Sequence, residues 1–151
     1  MSCTHIATAL IRRDGAVLLV ASRYPNQPQP LWNLPGGRQR EHELLSETAL
    51  RELREETGLD GTLRGLAYVS ESYDGEAHFT NFTFAVDATG NPKVPENEHD
   101  HVVAAEFVRA GELERRIAVA VVREPLVAFV RGESCGYAGY AEAGISIVFP
   151  D

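Results

Sequence analysis

The sequence contains little lysine, little cysteine and no long hydrophobic run. Lys93 is the only lysine among 151 residues, and the formal net charge is −8. Because phosphate-backbone binding needs clustered Lys and Arg, this composition excludes a general nucleic-acid binder. Cys3 and Cys135 are too few and too far apart for a disulfide framework or a C-x-x-C site. No run approaches the ~18 apolar residues of a membrane span, so we expect a cytoplasmic protein without membrane or nucleic-acid partners.

The composition that is present is that of an ordinary globular domain, with 44% hydrophobic and 24% charged residues. A chain of this length buries roughly 68–70% of its unfolded surface, which suffices for one core. We therefore expect a single domain over residues 1–151. The acid excess indicates either a solvated surface that aids solubility or acidic side chains that bind a cation.

Turn residues and hydrophobic periodicity divide the chain into elements. Apolar runs on both sides of Asp14-Gly15 predict an opening β-hairpin, and four prolines over residues 24–35 predict an ordered surface loop. A run of Leu, Glu and Arg over residues 44–57 predicts a helix that ends at Gly58. Further predicted elements are strands over 65–71, 78–88 and 102–108, and a helix over 112–131 interrupted at Pro125. The alternation in the second of these strands is only partly kept over residues 81–84.

The order β-β-α-β-β-β-α intersperses helices among strands. It favours an α/β or α+β fold, with a mixed sheet covered by helices on both faces, over an all-β sandwich. The glycine-rich tail, residues 132–151 with a strand-like run over 145–149, has no place in this scheme. Pairing of this tail with another subunit, which would give a homodimer, is left open.

Three glutamates of the predicted helix share one face. With Glu52 as the origin, Glu56 lies at about +40° and Glu55 at about −60° around the helix axis. Leu50 and Leu53 fall on the other side and give the helix an apolar stripe to bury. We therefore expect the helix to be anchored by its leucines and its acids to be exposed.

This cluster of like charges needs a cation beside it, because neighbouring carboxylates on a helix destabilise it by about 0.2–0.5 kcal/mol per pair. Arg51 and Arg54 relieve part of the repulsion if this is a plain salt-bridged surface helix. The preceding Leu34-Pro35-Gly36-Gly37 favours a metal site instead, since a tight glycine turn lets backbone carbonyls approach a ligand. Carboxylate and carbonyl oxygens suit a hard ion, so we expect Mg²⁺, with Mn²⁺ as a substitute.

Residues 37–59 read GRQREHELLSETALRELREETGL. This segment resembles the Nudix box of the Nudix hydrolase family, G-x5-E-x7-R-E-U-x-E-E-x-G-U, in which U is bulky and apolar. Seven fixed letters coincide by chance at roughly one in 10⁸ starting positions. The lead-in with Trp32 is also similar to the family's, and the resemblance spans about residues 4–131. The matching residues are Gly37, Glu43, Arg51, Glu52, Leu53, Glu55, Glu56, Gly58 and Leu59.

The resemblance implies a Nudix-type pyrophosphohydrolase with an α/β/α sandwich fold. It implies that Glu52, Glu55 and Glu56 bind divalent ions with help from the Gly37 carbonyl. It further implies that Arg51 orients a carboxylate. Glu43 is expected to act nearer the start of the helix. In such a reaction water attacks one phosphorus and a phosphate ester leaves.

The general base is divided between two glutamates. One is Glu52 of the box, and the other is Glu98 in the polar segment 96–101, where related enzymes often place an additional acid. The other interpretation of that segment is a solvated loop. Its histidines, His99 and His101, either bind substrate or have no role.

Three residues are candidates for substrate binding. Arg23 and Arg38 are candidates for charge-assisted hydrogen bonds to phosphate, with plain surface arginines as the alternative. Trp32 is a candidate for stacking on a base, with a core aromatic as the alternative. The further aromatic candidates are Tyr24, Tyr68, Tyr73 and Phe79.

The motif does not name the substrate, because specificity lies in loops outside it. A nucleoside diphosphate linked to another moiety, such as a nucleotide sugar, ADP-ribose or a dinucleoside polyphosphate, is preferred, and a nucleoside triphosphate is the alternative. A non-catalytic nucleotide-sensing module would have lost the metal glutamates, which are all present. An isomerase acting on an isoprenoid diphosphate would need Cys3 or Cys135, or an acid pair, placed for carbon protonation.

Overall fold

A computed structural model of the chain describes residues 2–96 and 101–146. The strands are β1 (Cys3–Leu10), β2 (Arg12–Arg13), β3 (Ala16–Ser22), β4 (Leu31–Asn33), β5 (Gly36–Arg38), β6 (Gly61–Asp74), β7 (Ala77–Ala88), β8 (Val102–Arg109) and β9 (Tyr137–Tyr140). The helices are α1 (Leu45–Thr57), α2 (Leu113–Arg116) and α3 (Ala120–Val130), with a 3-10 turn, Ala110–Glu112, before α2. No helix of the described ranges is long and apolar enough to cross a membrane.

The strands form two sheets. The larger sheet has the order β5-β1-β7-β6-β9, in which β1 pairs parallel with β7 and antiparallel with β5. In the smaller sheet β3 pairs antiparallel with β2, β4 and β8. The expected mixed sheet is therefore present.

Helices cover both faces of the larger sheet. Successive residues of a strand point to opposite faces, so each face has its own apolar side chains against which a helix packs. One apolar cluster joins the sheet to α1 and consists of Ala7, Ala9, Ile11, Leu18, Ala49, Leu53, Leu59 and Val86. The other joins it to α2 and α3 and consists of Leu10, Val17, Leu19, Leu34, Tyr68, Val108, Leu113, Ile117, Leu126 and Val127. This layering matches the expected fold class.

Helix α1 was predicted to within one residue at its start. It ends at Gly58, whose φ of 74° is left-handed and whose N–H donates to the Arg54 carbonyl at 2.9 Å. Leu53 is fully buried on the apolar stripe. Replacing such a leucine by alanine costs about 2–5 kcal/mol, so the stripe fixes which side of the helix faces away from the core.

The predicted opening hairpin is shorter than expected. It consists of β2 and β3, which pair on either side of Asp14-Gly15. Strand β1 instead lies between β5 and β7, where both of its edges are hydrogen-bonded. Within the predicted proline-rich loop, β4 forms a short strand against β3.

The predicted interruption of the last helix at Pro125 is wrong. The break falls at Ile117–Val119, where Ile117 (φ −94°, ψ 113°) and Val119 (φ −83°, ψ 112°) are extended. Both side chains are buried, so the extended backbone places them in the core at the expense of helical hydrogen bonds. Pro125 lies inside α3, with its ring buried.

Candidate active site

The glutamate-bearing face of α1 lies against β5. A Cβ on Gly37 would lie 2.6 Å from Oε1 of Glu52, and a Cβ on Gly36 would lie 2.4 Å from the Ala7 carbonyl oxygen. The Gly36 N–H donates to Oε2 of Glu56 at 3.0 Å. The two glycines belong to an extended strand paired with β1, not to the predicted tight turn. The absence of a side chain at Gly37 gives the Glu52 carboxylate room, and its absence at Gly36 lets β5 lie against β1.

The expectation that all three acids are exposed is wrong for two of them. Glu56 is 5% exposed, and the Glu52 side chain is 15% exposed because β5 covers this part of the helix. Only Glu55, at 45%, faces solvent. The helix therefore buries carboxylates as well as leucines.

Burial raises the pKa of Glu56 well above its ordinary value. A hydrogen bond with Glu52 and the negative charges of Glu52 and Glu55 raise it further, whereas the Gly36 N–H lowers it. Two carboxylates in one buried place destabilise each other unless a proton or a cation lies between them. The Glu52–Glu56 pair is therefore a place where positive charge is stabilising.

Arg51 connects the acids of the box. Its Nη1 donates to Glu52 Oε1 at 2.8 Å and to Glu55 Oε2 at 3.2 Å, and its Nη2 donates to the Arg38 carbonyl at 3.2 Å. Its Nε and Nη2 donate to the two carboxylate oxygens of Glu43 at 2.6 and 3.0 Å. The guanidinium thus links the start of the helix to β5.

Glu43 holds Arg51 in place. Its carboxylate also accepts hydrogen bonds from the Thr48 hydroxyl at 2.6 Å and from the Arg40 N–H at 3.1 Å. These bonds, the one from Arg51 above all, lower the pKa of Glu43 to about 2. Glu43 is therefore a charged anchor for Arg51 near the start of the helix.

The donor set fits a hard divalent cation. Oxygen ligands with excess negative charge are what Mg²⁺ and Mn²⁺ prefer, and the Glu52–Glu56 pair supplies both. In residues 2–96 and 101–146 no three His, Cys, Asp or Glu side chains already surround one ion position. Arg51 instead holds Glu52 and Glu55 in ion pairs.

A cavity of about 430 Å³ opens beside Glu52 and Arg51. Its floor is the face of the larger sheet opposite α1, and α3 and its preceding loop form one wall. Such a volume suits a small-molecule ligand of nucleotide size. Floor residues on β1, β6 and β7 include Ile6, Thr8, Tyr68, Ser70, Phe79 and Asn81.

The C-terminal tail forms another wall of the cavity. Its position was not predicted from the sequence. Strand β9 pairs with β6 of the same chain, and the Tyr137 hydroxyl donates to Glu71 Oε1 at 2.6 Å. The Ser146 carbonyl accepts hydrogen bonds from Asn26 and Gln27 of the proline-rich loop at 2.6 and 2.8 Å. Ala143 and Ile145 line the cavity between these two attachments. The strand-like run that was predicted over 145–149 lies largely outside the described residues.

Of the predicted substrate-binding residues, the structure brings Arg38 to the cavity. Among the described lining residues neither Arg23 nor Trp32 appears. Arg23 is exposed, and the Trp32 ring packs against the apolar cluster with the Arg116 guanidinium 4.8 Å above its centroid. Of the other aromatic candidates, Tyr24, Tyr68 and Phe79 line the cavity.

Tyr73 instead stacks on His78, with ring centroids 4.4 Å apart. His101 lines the cavity, whereas Glu98 and His99 lie outside the described residues. Neither Cys3 nor Cys135 lines the described cavity, so a cysteine placed for carbon protonation has no support there.

Asn81 and Glu71 both line the cavity, and neither was predicted as a site residue from the sequence. A signal existed for Asn81, because a polar residue there disturbs the alternation of β7. No comparable signal marks Glu71, since its position beside Tyr137 and His78 depends on contacts distant in sequence.

Comparison with known proteins identifies the family to which the chain belongs. The model of the NUDIX domain matches residues 3–129. The CTP pyrophosphohydrolase of Escherichia coli (strain K12) is 33% identical over 63 residues, which make up 42% of this chain and 47% of that protein. The chain therefore matches less than half the length of this curated relative.

Two solved structures share the fold. The NUDIX hydrolase from Nitrosomonas europaea has a TM-score of 0.72 at 19% identity, covering 94% of this chain and 80% of that one. The MutT NUDIX hydrolase from Burkholderia pseudomallei has a TM-score of 0.64 at 26% identity, covering 74% of this chain and 86% of that one. The expected fold class is confirmed.

Proposed function

The chain belongs to the NUDIX domain family, and on this basis we propose that it is a magnesium-dependent hydrolase of pyrophosphate linkages in nucleotides. The observation that carries the proposal is the Glu52–Glu56 pair, in which Glu56 is buried and Glu52 is largely covered, against Gly36 and Gly37 at the edge of a nucleotide-sized cavity. A plain salt-bridged surface helix would have no reason to bury Glu56 beside the carboxylate of Glu52. A site that binds a cation would bury Glu56, because the cation stabilises neighbouring carboxylates.

Glu52, Glu55, Glu56 and the Gly37 carbonyl would hold Mg²⁺, or Mn²⁺ as a substitute. When bound, the ion neutralises charge on the phosphate oxygens and polarises the phosphorus. Arg51 orients Glu52 and Glu55 through its Nη1 hydrogen bonds. The glutamates would bind the cation and the arginine positions two of them, which explains why an arginine lies among these acids.

Glu52 is the preferred general base among the described residues, because it is the box glutamate that lines the cavity. It accepts a proton from the attacking water as the new phosphorus–oxygen bond forms and the anhydride bond breaks. The leaving phosphate departs with the electron pair of that bond. Glu98 is the alternative base.

Arg38 is the favoured contact for the substrate phosphates, because it is an exposed arginine at the cavity beside Gly37. Its guanidinium carries a permanent charge and presents several donors to phosphate oxygens. Arg23 and Trp32 remain predictions without a cavity contact in support.

Two substrate classes fit this chemistry. The motif is compatible with a nucleoside diphosphate joined to another moiety, which is the preferred class. The name of the Escherichia coli relative, a CTP pyrophosphohydrolase, favours a nucleoside triphosphate. Cleavage between the first and second phosphorus atoms yields a nucleoside monophosphate from either class, so this product is common to both.

A nucleotide panel tests the proposal. Triphosphates, nucleotide sugars, ADP-ribose and dinucleoside polyphosphates are incubated with the protein, with and without Mg²⁺, and the products are identified by mass. We expect a nucleoside monophosphate in the Mg²⁺ arm only. A Glu52→Gln variant should be at least about 100-fold slower, whereas Glu76→Gln, in the exposed β6–β7 turn, should match wild type. Nucleotide binding without hydrolysis by the wild type would favour the sensing module.

A further inference from the structure

One buried polar atom in the described part of the chain lacks a partner. Every other side-chain nitrogen or oxygen that is fully buried in residues 2–96 and 101–146 has a hydrogen bond, but Oδ1 of Asn81 has none. Leaving a buried acceptor unpaired costs about 1–3 kcal/mol. Proteins rarely tolerate such an atom without a functional reason.

The nitrogen end of the Asn81 amide points to Thr83. Its Nδ2 donates to Thr83 Oγ1 at 3.0 Å, and Thr83 Oγ1 lies 2.8 Å from Thr8 Oγ1 on the neighbouring strand. Tyr68 also hydrogen-bonds to Thr83. The amide N–H group is therefore held within the sheet surface, and the carbonyl is the end left over.

Asn81 lies on the floor of the cavity that holds the proposed chemistry. It pairs with Ile6 of β1 and with Ser70 of β6, and these residues line the cavity with it. Phe79, two residues earlier on the same face, adds an aromatic side chain to the floor. Glu52 and Arg51 border the same cavity. A nucleotide with its phosphates at the box would place its base toward this floor.

We propose that Asn81 reads the base, with Oδ1 accepting a hydrogen bond from an exocyclic amino group. Because Oδ1 is buried, a group that projects from the ring edge reaches it more readily than a ring N–H does. Amino bases, cytosine and adenine, are then preferred over their oxo counterparts, uracil and hypoxanthine. An oxo group would set two acceptors against each other. This inference rests on the proposed function for the nucleotide as ligand.

Matched nucleotide pairs test this inference. CTP and UTP, or ATP and ITP, differ in one amino or oxo group, so the ratio of their kcat/KM values isolates that group. We expect wild type to prefer the amino member by about tenfold or more, the factor that one hydrogen bond supplies. Asn81→Leu should bring the ratio near one by raising KM for the amino nucleotides, with kcat little changed.

Two further variants serve as controls. Thr80→Val removes a hydroxyl from the opposite face of the same strand, where Thr80 Oγ1 lies 3.3 Å from Cys3 Sγ, and should keep the wild-type ratio. Asn81→Asp retains an acceptor and should keep the preference for the amino member. If the leucine variant does not fold, as judged by its melting curve, Asn81→Ala removes the acceptor with a smaller side chain.

The outcomes separate this inference from the proposed function. Equal kcat/KM values within both pairs for wild type, or an unchanged ratio in folded Asn81→Leu, would overturn base reading while leaving the hydrolase proposal intact. If no nucleotide is hydrolysed, the hydrolase proposal fails. The same pairs are then compared by calorimetric binding, in which equal affinities overturn the role of Asn81 and tighter amino binding supports it.

Discussion

Arg51 and Glu43, eight residues apart in sequence, form a two-pronged ion pair in which Nε and Nη2 of the arginine reach both oxygens of the glutamate. The arginine side chain is 18% exposed and the glutamate 14%. Bidentate, charge-assisted hydrogen bonds are stronger than hydrogen bonds between neutral groups. This pair fixes the guanidinium from which Glu52 and Glu55 accept their hydrogen bonds.

The first prediction concerns Glu43→Gln and pH. The pKa of Glu43 is lowered to about 2 in the folded protein from 4.5, so its stabilising effect is complete above pH 4.5 and is lost as the pH falls toward 2. We expect the variant to be less stable by about 1–3 kcal/mol at neutral pH. Urea unfolding between pH 3 and pH 7 should show this difference shrinking below pH 4.5, and a difference independent of pH would contradict the assignment.

The second prediction contrasts two neighbouring glycines. An alanine at position 37 would meet the flexible end of Glu52, whereas an alanine at position 36 would meet the backbone of Ala7. Gly37→Ala should therefore lose at least about tenfold in kcat, because Glu52 is displaced, and keep its melting temperature. Gly36→Ala should lose about 1–3 kcal/mol of stability, because the strand must shift.

The third prediction concerns the C-terminal wall of the cavity, which lies beyond the residues that the family model matches. Ile145 lines the cavity, and Glu142 in the same segment does not and is exposed. Ile145→Ala should raise KM by roughly threefold to tenfold, the effect of losing about 0.7–1.4 kcal/mol of contact, with kcat unchanged. Glu142→Ala should leave both constants as they are. Equal effects of the two variants on KM would contradict a role of the tail in substrate binding.

Features set by local sequence were predicted well. Helix α1 follows from its composition and its Gly58 stop, and the shared face of its glutamates follows from helix geometry. The burial of Glu56 did not follow, because it depends on β5 reaching the helix from twenty residues earlier in the chain. The break before α3 was misplaced because local sequence marks Pro125 more clearly than it marks the burial of Ile117.

Features set by distant contacts were not predicted. The tail has no periodicity that marks it as a wall, and its hydrogen bonds run to Glu71 and to the proline-rich loop. In the sequence, Asn81 was marked only by the interruption of the polar–apolar alternation of its strand. Its significance arises from Thr83, which accepts its amide N–H and contacts Thr8 of β1, while its carbonyl stays unpaired.

The most direct test of the central claim is Mg²⁺-dependent release of nucleoside monophosphate by Glu56→Gln and by the control Glu76→Gln. Glu56 is buried beside Glu52, so a neutral side chain there removes charge from the cation site while keeping the shape. We predict that Glu56→Gln folds, needs a higher Mg²⁺ concentration for half-maximal rate and is at least about 100-fold slower at saturation. Wild-type rate and Mg²⁺ dependence in folded Glu56→Gln would contradict the assignment of the cation to this pair.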